Sequence, residues 1–289
     1  GTTGRPKGVM LSHDNLFINA LSNASNVPRQ HVKVGMVVTP MFHVAGCGLA
    51  LLMGQRLVPQ VIVPAFDELA ILDGIQQHGV NELFLVPTMI RRLIEHPRLA
   101  EFDLSSLRLM LYGAAPIDAT LLERAMQLLP GADFAQAYGM TELSPTIVSM
   151  GPAEHRPGPQ RERLLRAAGR PVTIAEVRIV DGEGRELPPG EVGEITARGP
   201  MVMQGYWNRP AETAAALKDG WMHTGDMGRL DADGYLFVVD RLKDMIVSGG
   251  ENVYSAEVEN AIAQLSQVAM CAVIGVPDER WGERVHAVI

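Results

Sequence analysis

The stretch LRLMLYGAAPIDATLLERAMQLLPGADFAQAYGMTE, residues 107–142, decides the architecture. Leu107 to Tyr112, apolar but for Arg108, is of strand length. Asp118 to Leu129 reads as a helix, and Phe134 to Ala137 as a second strand. Strands alternating with helices predict a largely parallel sheet with helices packed on its faces.

The same rhythm holds upstream. Ser12 can cap a helix through Asn15-Leu16-Phe17-Ile18, because its hydroxyl accepts from an otherwise unpaired backbone N–H. Met36 to Thr39 is a strand candidate stopped by Pro40. Asp67 to His78 reads as a helix ending at Gly79. Leu83 to Val86 is strand-like, and Pro87 opens a helix over Thr88 to Glu95. No Asp, Glu, Lys or Arg occurs from Val34 to Gln55. That stretch also holds Pro40, His43, Gly35, Ala45, Gly46, Gly48 and Ala50, so it reads as a buried strand, a loop and a helix start rather than a membrane span.

Beyond Gly151 the rhythm changes. Pro152 to Gly169, rich in Pro, Gly and Arg, reads as a loop. Ala175 to Val180, Gly193 to Ala197 and Tyr235 to Val239 are short strands. Asp181-Gly182, Pro188-Pro189-Gly190 and Asp233-Gly234 are turn signals, which predicts antiparallel β structure. Past Arg241, Ser255 can cap a helix with Glu257 and Glu259 in its first turn, and Val268 to Val276 and Val285 to Ile289 are strand candidates. The expected fold class is α/β: a parallel α/β sheet region plus an antiparallel β subdomain, followed by the start of a small α+β C-terminal domain. The expected domains are residues 1–240 and 241–289.

Composition narrows the function classes. Of 289 residues, 47% are hydrophobic and 20% charged, which excludes a disordered chain. The net charge of -8 argues against nucleic acid as a partner. Two cysteines, Cys47 and Cys271, make no disulfide framework and suit a reducing, cytoplasmic compartment. The eight histidines show no zinc spacing. A first residue Gly1 and a strand-like Arg284 to Ile289 lead to the expectation of a piece of a longer protein.

Several loops carry chemistry. Gly1-Thr2-Thr3-Gly4-Arg5-Pro6-Lys7-Gly8 offers backbone donors, two hydroxyls and a cation to a phosphate. It is not the nucleoside triphosphatase loop, since Gly8, not Ser or Thr, follows Lys7. An ordinary flexible turn is the competing reading. Tyr138-Gly139-Met140-Thr141-Glu142 follows a buried strand, and ligands of open α/β sheets bind at the carboxyl ends of strands. An aromatic ring there can stack on a base, and Thr with Glu can hold magnesium near phosphates. The small residues Gly113-Ala114-Ala115-Pro116 permit close approach of a flat ligand. Thr224-Gly225-Asp226 presents a carboxylate on a glycine turn, suited to two vicinal hydroxyls. Asp240-Arg241-Leu242-Lys243-Asp244 reads as a charged linker, and Ser248-Gly249-Gly250-Glu251-Asn252 as a second glycine turn.

In this order the motifs resemble the adenylate-forming superfamily of acyl- and aryl-CoA synthetases, firefly-type luciferases and peptide-synthetase adenylation domains. The resemblance spans Gly1 to Ile289 and implies ATP-dependent activation of a carboxylate to an acyl-adenylate, then transfer to CoA. It implies that Thr2, Thr3, Gly4 and Lys7 hold the β- and γ-phosphates. Gly113, Ala114, Ala115, Tyr138 and Gly139 surround adenine. Thr141 contacts phosphate, and Glu142 ligates Mg²⁺. Asp226 binds the ribose hydroxyls with Arg241 nearby. His43 gates the acyl pocket, Lys243 is the hinge of a mobile C-terminal domain, and Gly249 and Gly250 line the path of the CoA thiol. Trp281 is read either as a CoA contact or as a core residue. The family's C-terminal lysine lies beyond Ile289, so this piece alone is expected to be inactive.

Amino-acid-activating relatives carry an Asp after the aromatic that Phe42 matches; His43 stands here, which disfavours an α-amino acid. The pocket candidates His43, Val44, Gly46, Pro87, Gly113 and Ala137 are apolar or small, which suits an uncharged acyl tail, and Gly and Ala there are expected to leave depth. A medium- or long-chain fatty acid is the expected substrate, with an aryl acid open. Arg156, Arg161, Arg163 and Arg166 are read as a solvated loop, with CoA phosphates or anionic lipid at a peripheral membrane contact as the second reading. A carrier-protein ligase and a non-catalytic nucleotide-binding relative are the competing functions. No Gly-x-Ser-x-Gly elbow supports a hydrolase, and no Gly-x-Gly-x-x-Gly a dinucleotide enzyme.

Overall fold

A computed structural model of the chain describes residues 6–262, 265, 267–268, 271–278 and 280–289. The chain divides into two compact units, Gly1–Val177 with Ala197–Met222, and Arg178–Thr196 with His223–Ile289.

The first unit is organised by an α/β sheet. Its chain order runs from β1 (Val9–Met10) and α1 (His13–Asn26) through β2 (Gly35–Val37), α2 (Val44–Gln55), β3 (Gln60–Ile62) and α3 (Glu68–His78). It continues through β4 (Glu82–Leu85), α4 (Pro87–Ile94), β5 (Leu109–Gly113), α5 (Ala119–Leu128), β6 (Asp133–Gly139) and β7 (Thr146–Met150). Two short helices, α6 (Pro152–His155) and α7 (Arg161–Leu164), precede β8 (Arg170–Pro171). The strand order is β3-β2-β4-β5-β6-β7-β8, parallel from β3 to β6 and antiparallel thereafter.

The expected parallel region is therefore present, and its reason is burial on both faces. Leu83, Leu85, Met110, Tyr112 and Phe134 pack into a core with Ile71, Ile75, Ile90, Leu121 and Leu122 of the helices. The alternate residues Phe84, Leu109, Leu111 and Ala135 pack with Ala20, Leu49, Leu52 and Met53 of α1 and α2. Glu82, fully buried at the start of β4, takes the Arg29 Nε at 2.8 Å and has the Arg56 Nη1 at 4.0 Å. Ser12 caps α1 in a reciprocal capping box with Asn15.

Two expectations need correction here. The stretch 152–169 is not all loop: Pro152 at N1 starts α6, and α7 follows. The charge-free segment holds the whole of α2, not a helix start alone. The sheet is largely parallel, as expected, and turns antiparallel at β7, a strand not read from the sequence.

Downstream lie β9 (Glu176–Val180), β10 (Gly193–Arg198), β11 (Gly205–Tyr206), α8 (Pro210–Ala216), β12 (Leu217–Lys218), β13 (Trp221–Leu230) and β14 (Leu236–Arg241). β1 and β11 form a small antiparallel pair. An antiparallel sheet has the order β12-β13-β10-β9, with β14 on β13. The last elements are β15 (Ile246–Ser248), β16 (Glu251–Val253), α9 (Ser255–Ile262), β17 (Ala272–Asp278) and β18 (Gly282–Val288), with strand order β16-β15-β18-β17. Ser255 does not cap α9 as expected. It is the first residue of the helix, and its hydroxyl and amide both donate to the Asp240 carboxylate, at 2.9 and 2.5 Å.

Candidate active site

In the first unit, parallel pairing sets Gly113 in register with Ala137, so Gly113-Ala114-Ala115 and Tyr138-Gly139 leave the carboxyl edge of the sheet from neighbouring strands. Both glycines are dictated by close backbone approach. A Cβ on Gly113 would lie 2.1 Å from the Ala137 carbonyl oxygen, and one on Gly139 would lie 1.8 Å from that of Pro145. Ala114 takes a left-handed φ of 65°, a costly conformation for alanine of the kind that collects at functional sites. Ala114 and Ala115 are exposed, while Ala137, Tyr138 and Gly139 are half-buried.

Thr141 and Glu142 form a 3-10 turn after β6, closed by the Ser144 amide donating to the Thr141 carbonyl at 3.2 Å. The Glu142 carbonyl accepts from the Met203 amide at 2.9 Å. Its carboxylate Oε1 accepts from the Tyr206 hydroxyl at 2.7 Å. Burial and that carboxylate push the Tyr206 phenol well above its usual value. Lys7 Nζ lies over the Tyr206 ring, 4.1 Å from its centre. The β1–β11 pair sets this contact: Val9 stands opposite Tyr206, and the Trp207 amide donates to the Gly8 carbonyl at 2.7 Å. The structure thus joins two expected site residues, Lys7 and Glu142, through one tyrosine that sequence reasoning passed over. The available signal was Gly205-Tyr206-Trp207, two adjacent aromatics in a chain with 5% aromatic residues. Thr2, Thr3 and Gly4 lie outside the described residues.

His43 is the N-cap of α2: its exposed ring accepts from the Ala45 amide at Nδ1, 3.2 Å away. Val44 is half-buried. Gly46 is buried, and a Cβ there would come within 2.5 Å of the Thr39 and Pro40 carbonyl oxygens. Gly46 and Gly113 are therefore required by backbone packing, which corrects the expectation that their small size leaves depth in a pocket. The same helix reaches the carboxyl edge of the sheet, because Gly48 faces the Pro145 ring and the Pro145 carbonyl faces Gly139.

Behind β5 sits a buried polar pair. The Tyr112 hydroxyl is 2.8 Å from His155 Nε2, and His155 Nδ1 is 2.7 Å from the Gly151 carbonyl. The carbonyl can only accept, so Nδ1 carries the proton and Nε2 accepts from the tyrosine. Burial pushes the His155 imidazole down to about 4. The arginines of the following loop are engaged locally: Arg161 with Glu123 at 2.6 Å, Arg166 with Glu162 at 3.2 Å, Arg156 with Asp133 at 3.5 Å, and Arg163 with Gln160 at 2.7 Å.

In the second unit, Thr224-Gly225-Asp226 lies inside strand β13 rather than on a turn. Gly225 takes φ 72°, which kinks the strand without ending it. Asp226 stands opposite Arg241 of β14, whose Nε is 3.4 Å from Oδ1. Asp240 and Arg241 are strand residues, not a solvated linker, and Asp240 is buried. Lys243 lies in the turn after β14, its Nζ 3.2 Å from Asp244. Gly249 and Gly250 form the two-residue turn between β15 and β16, with φ 62° and 88°. The Gly249 amide donates to the Trp281 carbonyl at 2.7 Å, and a Cβ there would meet the Trp281 ring at 2.7 Å. Trp281 is 46% exposed, which excludes the core reading.

A bound magnesium ion fits one part of this arrangement. Mg²⁺ sites commonly use one or two carboxylates and complete the shell with water and substrate phosphates. Glu142 is such a carboxylate. Among the described residues no cluster of three His, Cys, Asp or Glu could hold a metal alone, as suits an ion that arrives with a nucleotide. Nor is any helix among them long and apolar enough to cross a membrane.

A family model described as AMP-binding enzyme matches residues 1–207, and one described as AMP-binding enzyme C-terminal domain matches residues 257–289. The chain is 45% identical to a feruloyl-CoA synthase of an Amycolatopsis species, covering 100% of this chain and 57% of that protein. It is 41% identical to the fatty acid–[acyl-carrier-protein] ligase ScoC of Streptomyces coeruleorubidus, covering 100% and 56%. Bacillus subtilis o-succinylbenzoate CoA synthetase (MenE), solved with its acyl-adenylate intermediate, superposes with a TM-score of 0.89 at 35% identity, covering 99% of this chain and 57% of that one. The same synthetase with ATP and magnesium ion gives 0.87 at 34%, covering 99% and 57%. The chain spans just over half the length of these relatives.

Proposed function

The chain belongs to the AMP-binding enzyme family, and from this premise we propose that the complete protein is an AMP-forming acid–CoA ligase. In this reading ATP and a carboxylic acid give an acyl-adenylate and pyrophosphate, and the acyl group then passes to the CoA thiol with release of AMP. The observation that carries the reading is the Lys7–Tyr206–Glu142 assembly beside the carboxyl ends of β5 and β6.

Each residue has a task set by its position. Gly113 to Ala115 and Tyr138-Gly139 receive the adenine, and Asp226 accepts hydrogen bonds from the ribose hydroxyls, with Arg241 beside it. Lys7 and Thr141 bind phosphate oxygens, as Thr2, Thr3 and Gly4 do in the same reading. Glu142 would hold Mg²⁺, and the ion when bound would supply positive charge beside the phosphates. Catalysis is positioning plus charge neutralisation, with the acid carboxylate held in line with the α-phosphorus. His43 and Val44 border the acyl tail. Residues 1–240 act as the large domain and 241–289 as the start of a mobile one. Lys243 is the hinge between them, and Gly249 and Gly250 lie on the path of the thiol. We place the protein in the cytoplasm.

For the acid, a medium- or long-chain fatty acid is the first reading, supported by the apolar Val44 beside His43 and by the fatty-acid ligase relative. An aryl acid is the second, supported by the feruloyl-CoA synthase relative. The test supplies the complete protein with ATP, Mg²⁺, CoA and one of octanoate, palmitate, ferulate, benzoate or an amino acid, and identifies products by mass. A fatty acyl-CoA supports the first reading and an aryl-CoA the second. Acyl-AMP without thioester points to a carrier-protein acceptor. No product from any acid overturns the proposal.

A further inference from the structure

The segment 223–226 is held by a carboxylate from another strand. Glu194, on β10, spends both oxygens on it: Oε2 is 2.6 Å from His223 Nδ1, and Oε1 accepts from the Gly225 amide at 3.0 Å. The side chains of His223 and Glu194 are only 12% and 20% exposed, so water competes weakly for these bonds. Thr224 completes the grip. Its hydroxyl donates to the Ile195 carbonyl at 2.7 Å and accepts from the Asp226 amide at 3.1 Å. On the far side, the Gly225 carbonyl accepts from the Leu242 amide at 2.9 Å.

The geometry explains why so much bonding gathers here. Gly225 at φ 72° breaks the regular pleat just before Asp226, and the β13–β14 register shifts between Met227 and Gly228. A kinked strand has lost part of its ladder, so its direction must come from side chains. Glu194 is the one carboxylate among the described residues that bonds both His223 and the kink amide.

We propose that Glu194, oriented by His223, is a positioning residue that aims Asp226 at the ribose. It touches no nucleotide itself. The proposal rests on the reading of Asp226 as the ribose ligand and adds what sets its direction. Its consequence is specific. Loss of Glu194 weakens recognition of the ribose hydroxyls and not recognition of the phosphates or base.

The experiment measures binding of ATP and of 2′-deoxy-ATP to the complete protein by calorimetry. The wild type is expected to prefer ATP by about tenfold or more, the worth of a hydrogen bond to a charged group. Asp226→Ala should abolish the preference, and Glu194→Ala should reduce it to within about twofold. Glu194→Gln keeps an acceptor for the Gly225 amide and should retain most of it. Should Glu194→Ala fail to fold, His223→Phe, which frees the carboxylate to turn, carries the test and should narrow the preference about threefold. A role in stability alone would weaken both nucleotides equally and leave the ratio untouched, so an unchanged ratio in Glu194→Ala, or in His223→Phe where that variant stands in, overturns the proposal. If Asp226→Ala also leaves the ratio unchanged, the ribose reading of Asp226 falls as well.

Discussion

Glu142 already accepts from the Tyr206 hydroxyl, and in the proposed reaction the same carboxylate would also hold the magnesium ion. Glu142→Gln removes the charge and keeps the shape. It should lower the adenylation rate roughly tenfold or more, and raise the Mg²⁺ concentration needed, as read by pyrophosphate release across a Mg²⁺ series. Rates equal to wild type at all concentrations would sink the metal role. His155 makes a different prediction. Its folded-state value of about 4 lies below the ordinary 6.5, chiefly because burial disfavours the charged ring. The unfolded chain therefore binds more protons between these values, and stability falls as pH drops from 6.5 toward 4. The whole loss amounts to about 3 kcal/mol. His155→Gln should flatten that part of the denaturant-midpoint profile; an identical slope in both proteins would refute the buried neutral histidine. The adjacent aromatics mark Tyr206 in the chain without giving its role, and nothing local marks His155. Each acquires its role from a partner more than forty residues away, Glu142 or Tyr112, and no local spacing encodes that.

Strands β4 and β5 were legible because burial on two faces leaves a near-continuous apolar run, and β6 because Phe134 and Ala135 keep that burial where the strand starts. The four-residue helices α6 and α7 were not, since one turn shows no periodicity. Thr224-Gly225-Asp226 was misread for a sharper reason: a glycine at positive φ usually marks a turn, and here it kinks a continuing strand. The segment after β14 yields a prediction about an element as a whole. Its turn is closed by the Asp244 and Met245 amides, both donating to the Arg241 carbonyl, so the Lys243 amide is not used there. Lys243→Pro thus costs the turn no hydrogen bond but stiffens it. In the complete protein it should slow thioester formation at least several-fold more than adenylation, measured as separate half-reactions. Equal losses in the two would count against a hinge.

At the scale of the whole molecule, charge decides which surfaces are available. The chain carries a net charge of -8, and the arginines of 156–166 are already bonded to neighbouring side chains. A peripheral contact with anionic lipid would have to break those pairs against an overall repulsion. The chain should therefore remain in the supernatant when centrifuged with phosphatidylserine vesicles at physiological salt, and co-sedimentation would show a basic face that the pairing does not reveal. The order of the motifs made the family legible from end to end, because five short motifs in one sequence order are specific where each alone is not. The acyl pocket was the poorly legible part: Gly46 and Gly113 are small for the sake of neighbouring carbonyls, and their size says little about a tail.

Asp240 is the penultimate residue of β14, and its Oδ2 holds the first residue of α9, Ser255, by amide and hydroxyl together. If the segment beyond Arg241 swings during a reaction cycle, this carboxylate is a catch that must be released and re-engaged at every round. Such a catch leaves substrate affinities alone and governs tempo. Turnover of the complete enzyme would then be paced by a mechanical step, slowed by viscous solvents such as glycerol solutions, while the bond-making at phosphorus waits for the latch to open.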